Sequence, residues 1–259
     1  MNVMVSVKPD TSGLTETDGT ICWNRATRLR EKGDALQNKS KPVKRDSIRT
    51  QEKILAAAQA EFARRGYDGA RVDAIVARAK ISKNLLYHHF RSKEDLYIRV
   101  LERTYETLRR RQGDIPLAGL DPIEAMRRLC ESTFQVFVEE PDVIVMLNTE
   151  NLHRGKHISK SPIIRALYDR LSESLRIILK DGEEKGVFRK GIDPVELYIS
   201  MSGLGYFYLS NQHTLSLLFN RRLRDPENIA RRQAHIVDMV ISYLTRIPEE
   251  GDWTPDLVR

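Results

Sequence analysis

Four residue pairs, each a helix-capping side chain followed by proline, constrain the fold of this chain more than any other feature. Ser and Asp accept hydrogen bonds from the free N–H groups at a helix start, and proline is tolerated in the first turn because its missing N–H has no partner there. The pairs are Asp121-Pro122, Ser161-Pro162, Asp193-Pro194 and Asp225-Pro226. They predict four helices in the second half of the chain.

The first half of the chain shows the apolar periodicity of further helices. In the first of these helices the apolar stripe consists of Ile54, Leu55, Ala58 and Phe62, with Gly66 as a stop signal. The predicted helix ranges are 50–65, 72–79, 83–90 and 92–111. Pro141 divides the helix that follows Asp121 from another that reaches about Asn151. Since no alternating pattern of comparable strength occurs, the sequence predicts an all-α chain of about nine helices.

Three of these helices form a helix-turn-helix pattern. Their apolar residues predict a common core, and a short turn of Lys80, Ile81 and Ser82 joins the second helix to the third. In such a unit the third helix enters the major groove of DNA. The predicted core residues are Phe62, Ile75, Leu86 and Phe90.

The positive charge lies at the same end of the chain. The net charge is +7, and residues 1–98 hold 19 Lys and Arg against 12 Asp and Glu, while residues 99–259 hold 24 of each kind. This asymmetry favours a polyanionic partner, with nucleic acid or an anionic membrane surface as candidates. A solvated basic tail is the simpler alternative.

A longer motif runs through this end of the chain and consists of Ile54-Leu55-Ala56-Ala57-Ala58, Phe62, Gly66-Tyr67, Ile75, Ala79, Ile81-Ser82-Lys83, Leu86-Tyr87-His88-His89-Phe90 and Ser92-Lys93-Glu94. These residues resemble the DNA-binding domain of TetR-family transcriptional regulators. The resemblance implies an N-terminal helix-turn-helix domain followed by a larger helical domain that binds an effector and dimerises. The ranges expected are 1–45 for a flexible basic arm, 46–92 for the DNA-binding domain, 93–247 for the helical domain and 248–259 for a C-terminal tail.

Two residues depart from the family pattern, which usually has glycine at both positions. Lys80 in the turn must either accept a strained backbone or shift the turn. Asn84, at the start of the recognition helix, adds an amide that can pair with adenine N6 and N7.

The resemblance also implies which side chains contact DNA. Base edges are assigned to Lys83, Asn84 and Leu85, since Lys can donate to guanine and Leu can contact a thymine methyl. The alternative for Lys83 is that it only neutralises a phosphate. The alternative for Arg49 and Arg71 is that they are ordinary surface arginines without a role in DNA binding. The phosphate contacts expected are Arg49, Arg71, Ser82, Tyr87, His88 and Lys93.

The neutral part of the chain is expected to hold an effector pocket and the dimer interface, although an apolar stripe is more often core than pocket. The helix after Asp193 is apolar on nearly every side, which predicts burial all round. Pocket candidates are Phe134, Phe137, Met146, Asn148, Asn151, His153, Tyr168, Leu171 and Tyr198. Interface candidates, by analogy with the four-helix bundle of the family, are Tyr206, Leu209, Val237, Val240, Ile241 and Leu244.

Other classes of protein have less support. Two cysteines are too few for a disulfide framework and indicate a reducing, cytosolic compartment, and no apolar run is long enough for a membrane span. His153 and His157 have metal-like spacing, but Gly155 between them and the lack of a nearby cysteine argue against zinc. We therefore expect no metal, no cofactor and no catalysis. The expected function is a homodimeric, ligand-responsive repressor on a pseudo-palindromic operator, with an activator, a nucleoid-type DNA binder or a helical enzyme or carrier as alternatives.

Overall fold

The computed structural model describes residues 40–113 and 119–246, with side chains for 46–110 and 119–246, and every regular element in these stretches is helical. The described residues from Pro42 onward belong to one compact unit, and Ser40 and Lys41 belong to another. A 3₁₀ turn, Ile158–Lys160, follows the sixth helix. The helices are α1 (Ser40–Gly69), α2 (Val72–Ala79), α3 (Lys83–His89), α4 (Lys93–Gly113), α5 (Pro122–Glu139), α6 (Pro141–Leu152), α7 (Pro162–Glu184), α8 (Pro194–Ser210), α9 (Gln212–Leu218) and α10 (Pro226–Thr245).

The proline pairs begin helices as predicted. Asp121 Oδ1 accepts a hydrogen bond from Ile123 N at 2.9 Å, and Asp193 and Ser161 cap α8 and α7 in the same way. Among the described residues, the side chain of Asp225 makes no capping bond, so Pro226 alone marks the start of α10. The predicted all-α class is confirmed, and the tenth helix arises because a break at Asn211 separates α9 from α8.

The first helix begins earlier than the sequence pattern indicated. It starts at Ser40, so residues 40–45 are helical and their assignment to a flexible arm is wrong. The helix is extended by its own backbone hydrogen bonds, which need no apolar stripe. The rest of the expected arm, residues 1–39, lies outside the described residues, and so does the expected tail 248–259. At Gly66 the backbone has φ 67° and breaks the helix, as its stop signal predicted.

The core of the helix-turn-helix is the predicted one. Ile54, Phe62, Ile75 and Leu86 have no exposed surface and Phe90 only 1%. Burial of each such side chain is worth about 1.5–3 kcal/mol. The same cluster continues into α4 through buried residues that include Leu96, Tyr97 and Val100. The helix-turn-helix is therefore packed directly on α4, the first helix of the body.

The body has a second apolar cluster between α5, α7, α8 and α10. Leu197 and Met201 of α8 are buried in it, but Val195, Ile199 and Phe207 are 51–59% exposed. The expectation that α8 is buried on every side is therefore wrong for the single chain, because the body covers only one of its faces. Across the described helices, none combines the length and hydropathy of a membrane span.

Candidate nucleic-acid interface

The turn between α2 and α3 accepts a non-glycine residue in a left-handed conformation. Lys80 has φ 55° and ψ 49°, and the N–H of the next residue, Ile81, donates to Val76 O at 3.1 Å. This bond is the 6→1 closure that usually accompanies a left-handed residue at a helix end. Of the two alternatives for Lys80, the structure thus has the strained backbone in an unshifted turn.

The recognition helix α3 has one buried side and one exposed side. Leu86 is fully buried and Phe90, which follows the helix, is 1% exposed, while His89 is half-buried beside Phe90. Ser82 caps the helix by accepting a hydrogen bond from Leu85 N at 3.2 Å. The exposed residues of α3 are Lys83, Asn84, Leu85, Tyr87 and His88. The sequence predicted that all five contact DNA, and they lie on the exposed side of the helix.

One of these side chains has an acidic partner within the motif. The Lys83 ammonium lies 2.9 Å from Asp73 Oδ1, although the two residues are ten apart in sequence. Asp73 stands in the first turn of α2 and is exposed. Hydrogen bonding to Asp73 raises the pKa of the Lys83 ammonium, so this group carries its charge at any physiological pH.

The other residues assigned to phosphate occupy different settings. Arg49 and Arg71 are exposed, and Ser82 is exposed while serving as the cap of α3. Lys93 is half-buried: its ammonium donates to Asp68 O at 3.3 Å and lies 4.9 Å from the centre of the Tyr67 ring. Lys93 thus contacts the fold itself at the end of α1.

Tyr67 joins the DNA-binding helices to the body. Its ring centre lies 4.9 Å from that of Tyr97 in α4 and 4.5 Å from that of His157, which follows α6. His153 adds an edge contact to the same ring at 5.5 Å and brings its Nε2 within 3.6 Å of Asp68. The aromatic junction is our name for Tyr67, Tyr97, His153 and His157.

A buried carboxylate organises the loop that carries the two histidines. Glu150 is 1% exposed, and its Oε1 accepts hydrogen bonds from His157 N at 2.7 Å and Ile158 N at 3.0 Å. On the other side of the loop, Lys160 donates to Glu94 at the start of α4 at 2.7 Å. The loop after α6 is therefore held at both ends against α4 and the end of α1. Among the described residues, no group of three or more potential ligands is arranged to hold a metal ion.

The residues expected in an effector pocket have different environments in the structure. Phe134, Phe137, Met146 and Leu171 are buried in the two apolar cores. Asn148 accepts a hydrogen bond from Tyr206, Asn151 donates to its own helix at Leu147 O, and His153 belongs to the aromatic junction. A groove of about 300 Å³ between α5 and α10 is lined by none of them.

Tyr168 and Tyr198 share a cluster with a buried arginine that the sequence pattern did not single out. The Arg109 guanidinium carbon lies 4.0 Å from the Tyr168 ring centre, and Arg109 donates to Tyr198 OH at 3.0 Å. Tyr105 completes the cluster, with its ring centre 5.8 Å from that of Tyr168. Burial raises the pKa of the Tyr105 and Tyr168 hydroxyls, so both remain protonated hydrogen-bond donors.

Most of the expected dimer-interface residues face inward. Leu209, Val237, Val240 and Leu244 are at most 4% exposed and lie in the chain's own cores, which leaves them little surface for a partner, although Val237 also lines the groove between α5 and α10. α10 is amphipathic and α8 is apolar on nearly every side, and neither pattern showed which apolar side the body covers. Tyr206 is half-buried and bonded to Asn148, and Ile241 lines the groove between α5 and α10.

Known proteins resemble both the helix-turn-helix end of the chain and the helical body. Residues 54–100 match the family model described as bacterial regulatory proteins, tetR family, and residues 122–240 match the one described as tetracyclin repressor-like, C-terminal domain. The HTH-type transcriptional repressor NicS of Pseudomonas putida is 36% identical over 198 residues, which cover 76% of this chain and 93% of the repressor.

A second relative and a solved structure extend these comparisons. The HTH-type transcriptional activator FasR of Mycolicibacterium smegmatis is 43% identical over 86 residues, which cover 33% of this chain and 38% of the activator. The crystal structure of SCO4942 from Streptomyces coelicolor superposes with a TM-score of 0.59 at 29% identity, over 76% of this chain and 99% of that structure. With the helix-turn-helix geometry above, these matches show that the chain belongs to the TetR family of bacterial transcriptional regulators.

Proposed function

We propose that this regulator is a homodimeric repressor that binds a pseudo-palindromic operator and leaves it when a small molecule binds the helical body. The observation that carries the proposal is the exposed polar side of α3, mounted on a packed helix-turn-helix core. Several relatives, including NicS, are named as repressors, which supports repression. Because the partner is chromosomal DNA, we infer a cytoplasmic protein.

The exposed residues of α3 divide into base readers and phosphate contacts. Asn84 and Leu85 stand at the amino end of α3, which enters the groove first in this motif, so they reach an adenine edge and a thymine methyl. Tyr87 and His88, one turn further on, contact phosphates, which position the protein without reading sequence. Arg49 and Arg71 add exposed positive charge to the same task. For Lys93 we infer a structural role first, since its ammonium lies against Tyr67 and Asp68.

The exposed apolar side of α8 is the basis for the proposed dimer. Val195, Ile199, Gly203 and Phe207 follow each other at intervals of four residues, which places them on one face of the helix. A Cβ at Gly203 would meet no atom within 4 Å, so this position leaves space for a second helix to approach closely. On α10, Met239 and Tyr243 are also exposed apolar residues, at 44% and 47% exposure. A second copy of the chain would bury this face in a four-helix bundle and place two recognition helices about 34–36 Å apart, or a multiple of that distance.

The cluster of Arg109, Tyr105, Tyr168 and Tyr198 is the proposed effector region. It combines aromatic faces with hydroxyl and guanidinium donors inside the body, which is the composition of a small-molecule site. To release DNA, the effector must prefer the conformation in which the recognition helices are misplaced, and each tenfold preference is worth about 1.4 kcal/mol.

Activation is the second candidate for the direction of control. FasR, whose name says activator, is 43% identical over 86 residues, so likeness to a relative does not by itself distinguish activation from repression. The relatives named here are regulators and not enzymes, and we propose no catalytic role for this chain.

Selection of bound sequences from random duplex DNA, followed by footprinting with the purified protein, tests the function. We expect a pseudo-palindrome whose half-sites lie on one face of the duplex. Transcription from a promoter that carries this sequence should fall when the protein is added and recover with the effector, whereas stimulation would indicate an activator. A protein that selects no sequence at physiological salt would contradict the proposal.

A further inference from the structure

The ion pair between Asp73 and Lys83 is the only ion pair within the described residues that links α2 to α3. It joins the first turn of the supporting helix to the first residue of the recognition helix. The distance of 2.9 Å between Nζ and Oδ1 is that of a charge-assisted hydrogen bond. The sequence pattern gave Lys83 a role in DNA binding and Asp73 none.

Its exposure argues against a structural role. The side chains of Lys83 and Asp73 are 52% and 77% exposed. Exposed ion pairs contribute little to folding stability, because water screens them and ordering two side chains costs entropy. The core of Phe62, Ile75, Leu86 and Phe90 already fixes α3 on α2. A role outside folding is therefore the better explanation for the pair.

A carboxylate at this place acts on DNA binding in two ways. Its charge repels phosphates, which weakens contacts with any duplex. It also binds the Lys83 ammonium, which otherwise would follow the nearest phosphate on its long and flexible side chain. An ammonium has three N–H donors, and the bond to Asp73 uses one, so two remain for guanine O6 and N7.

We propose that Asp73 is a specificity-determining positioning residue, which holds Lys83 toward base edges and keeps it from neutralising phosphates on non-operator DNA. The inference rests on the proposed contact between Lys83 and DNA. Asp73 thereby raises the ratio of operator affinity to random-DNA affinity, because it weakens binding to random DNA.

The test compares Asp73→Asn with the parent protein on operator and random duplexes of equal length, by fluorescence anisotropy between about 50 and 200 mM salt. A freed Lys83 adds one phosphate contact, so the salt slope for random DNA should steepen by about 0.9, and affinity at 200 mM should rise about fourfold. Operator affinity should change by less than about twofold, so the specificity ratio falls.

Three further variants separate positioning from structure. Asp73→Glu retains the carboxylate and should restore the parental ratio. In a Lys83→Met background, Asp73→Asn should steepen the salt slope clearly less, because only the lost repulsion of the carboxylate remains and there is no lysine to release. Glu184→Gln removes another exposed carboxylate, paired with Lys180 in α7, and should change neither affinity.

Several outcomes would overturn the inference. These are an unchanged salt slope in Asp73→Asn, an equal loss of affinity for both duplexes, or the same slope change with and without Lys83. If the parent protein itself shows no sequence preference, the proposed function fails and this inference fails with it. If the parent prefers its operator and Asp73→Asn behaves like the parent, only the role of Asp73 is refuted.

Discussion

Glu150 and His157 form a hydrogen-bonded pair inside the protein, with 2.8 Å between Oε2 and Nδ1 and at most 1% of either residue exposed. The imidazole ring in turn lies against Tyr67 and Tyr97. One acidic residue of α6 thereby fixes the loop on which the DNA-binding helices rest.

Replacing Glu150 with alanine should strongly destabilise the fold. It would leave the N–H groups of His157 and Ile158 without their acceptor, at a cost of about 1–3 kcal/mol for each unsatisfied group. Glu150→Gln retains one oxygen for both and should cost less. Urea unfolding measures the difference, with the exposed Glu227→Gln as a control that should stay within about 0.5 kcal/mol of the parent. Equal stabilities of the alanine and glutamine variants would contradict this account.

Asn84→Ala should mainly abolish the preference at one base pair, at a cost of about 1–3 kcal/mol for the operator and little for random DNA. Tyr87→Phe removes a donor to phosphate and should weaken binding to both duplexes alike. Titration of each variant against a set of single-base operator variants separates the two patterns. An intact base preference in Asn84→Ala would show that the base-reading assignment is wrong.

Aspartate substitutions on the two sides of α8 should have opposite effects. Ile199 is 57% exposed, so Ile199→Asp should give a folded monomer, whereas Leu209 is 1% exposed and Leu209→Asp should unfold the chain. An unpaired charge in the core costs several kcal/mol, while one on the surface costs little. Sedimentation velocity measures the oligomeric state of each variant, and circular dichroism measures whether it is folded. A dimeric Ile199→Asp would place the interface elsewhere.

Gly182 should not tolerate a methyl group. A Cβ at this position in α7 would lie 2.0 Å from Cδ2 of Phe188, and both residues are buried. Overpacking of this kind costs about 1–3 kcal/mol, so the melting temperature of Gly182→Ala should fall. Phe188→Leu in the same chain should recover part of the loss. Gly69→Ala is the matched control, since its methyl group would come no nearer than 3.4 Å to Cβ of Arg65.

Stability should fall at alkaline pH, partly through Cys130. Burial raises the pKa of the Cys130 thiol to about 12, whereas an unfolded thiol ionises near 8.5. Between these values the folded state retains a proton that the unfolded state releases. The free energy of unfolding therefore decreases as pH rises, by at most about 1.4 kcal/mol per pH unit for this group.

Denaturant unfolding at several pH values between about 8.5 and 10 measures this slope. Cys130→Ala should flatten it, whatever the change in absolute stability. At higher pH the buried hydroxyl of Tyr105, whose pKa is also raised by burial, adds to the decline. The same slope with and without Cys130 would contradict the assignment.

The sequence supported accurate predictions wherever the physics is local. Caps and proline act within one helical turn, so Asp121, Ser161 and Asp193 marked their helices correctly. The spacing of Leu86 and Phe90 likewise identified the buried side of α3, and with it the exposed residues beside them. Asp73 and Glu150 were missed because their partners lie ten and seven residues away, across a turn whose geometry the pattern does not contain.

By itself, then, the sequence determined where the helices marked by proline begin, which three helices form the DNA-binding unit and to which family the chain belongs. Only the tertiary structure decided which apolar side of α8 and α10 is covered, and it places Leu209 and Val240 on that side. The physical reason is the separation along the sequence over which each interaction acts. Capping and periodicity depend on neighbours within about four residues, whereas the burial of a face depends on helices that are distant in sequence.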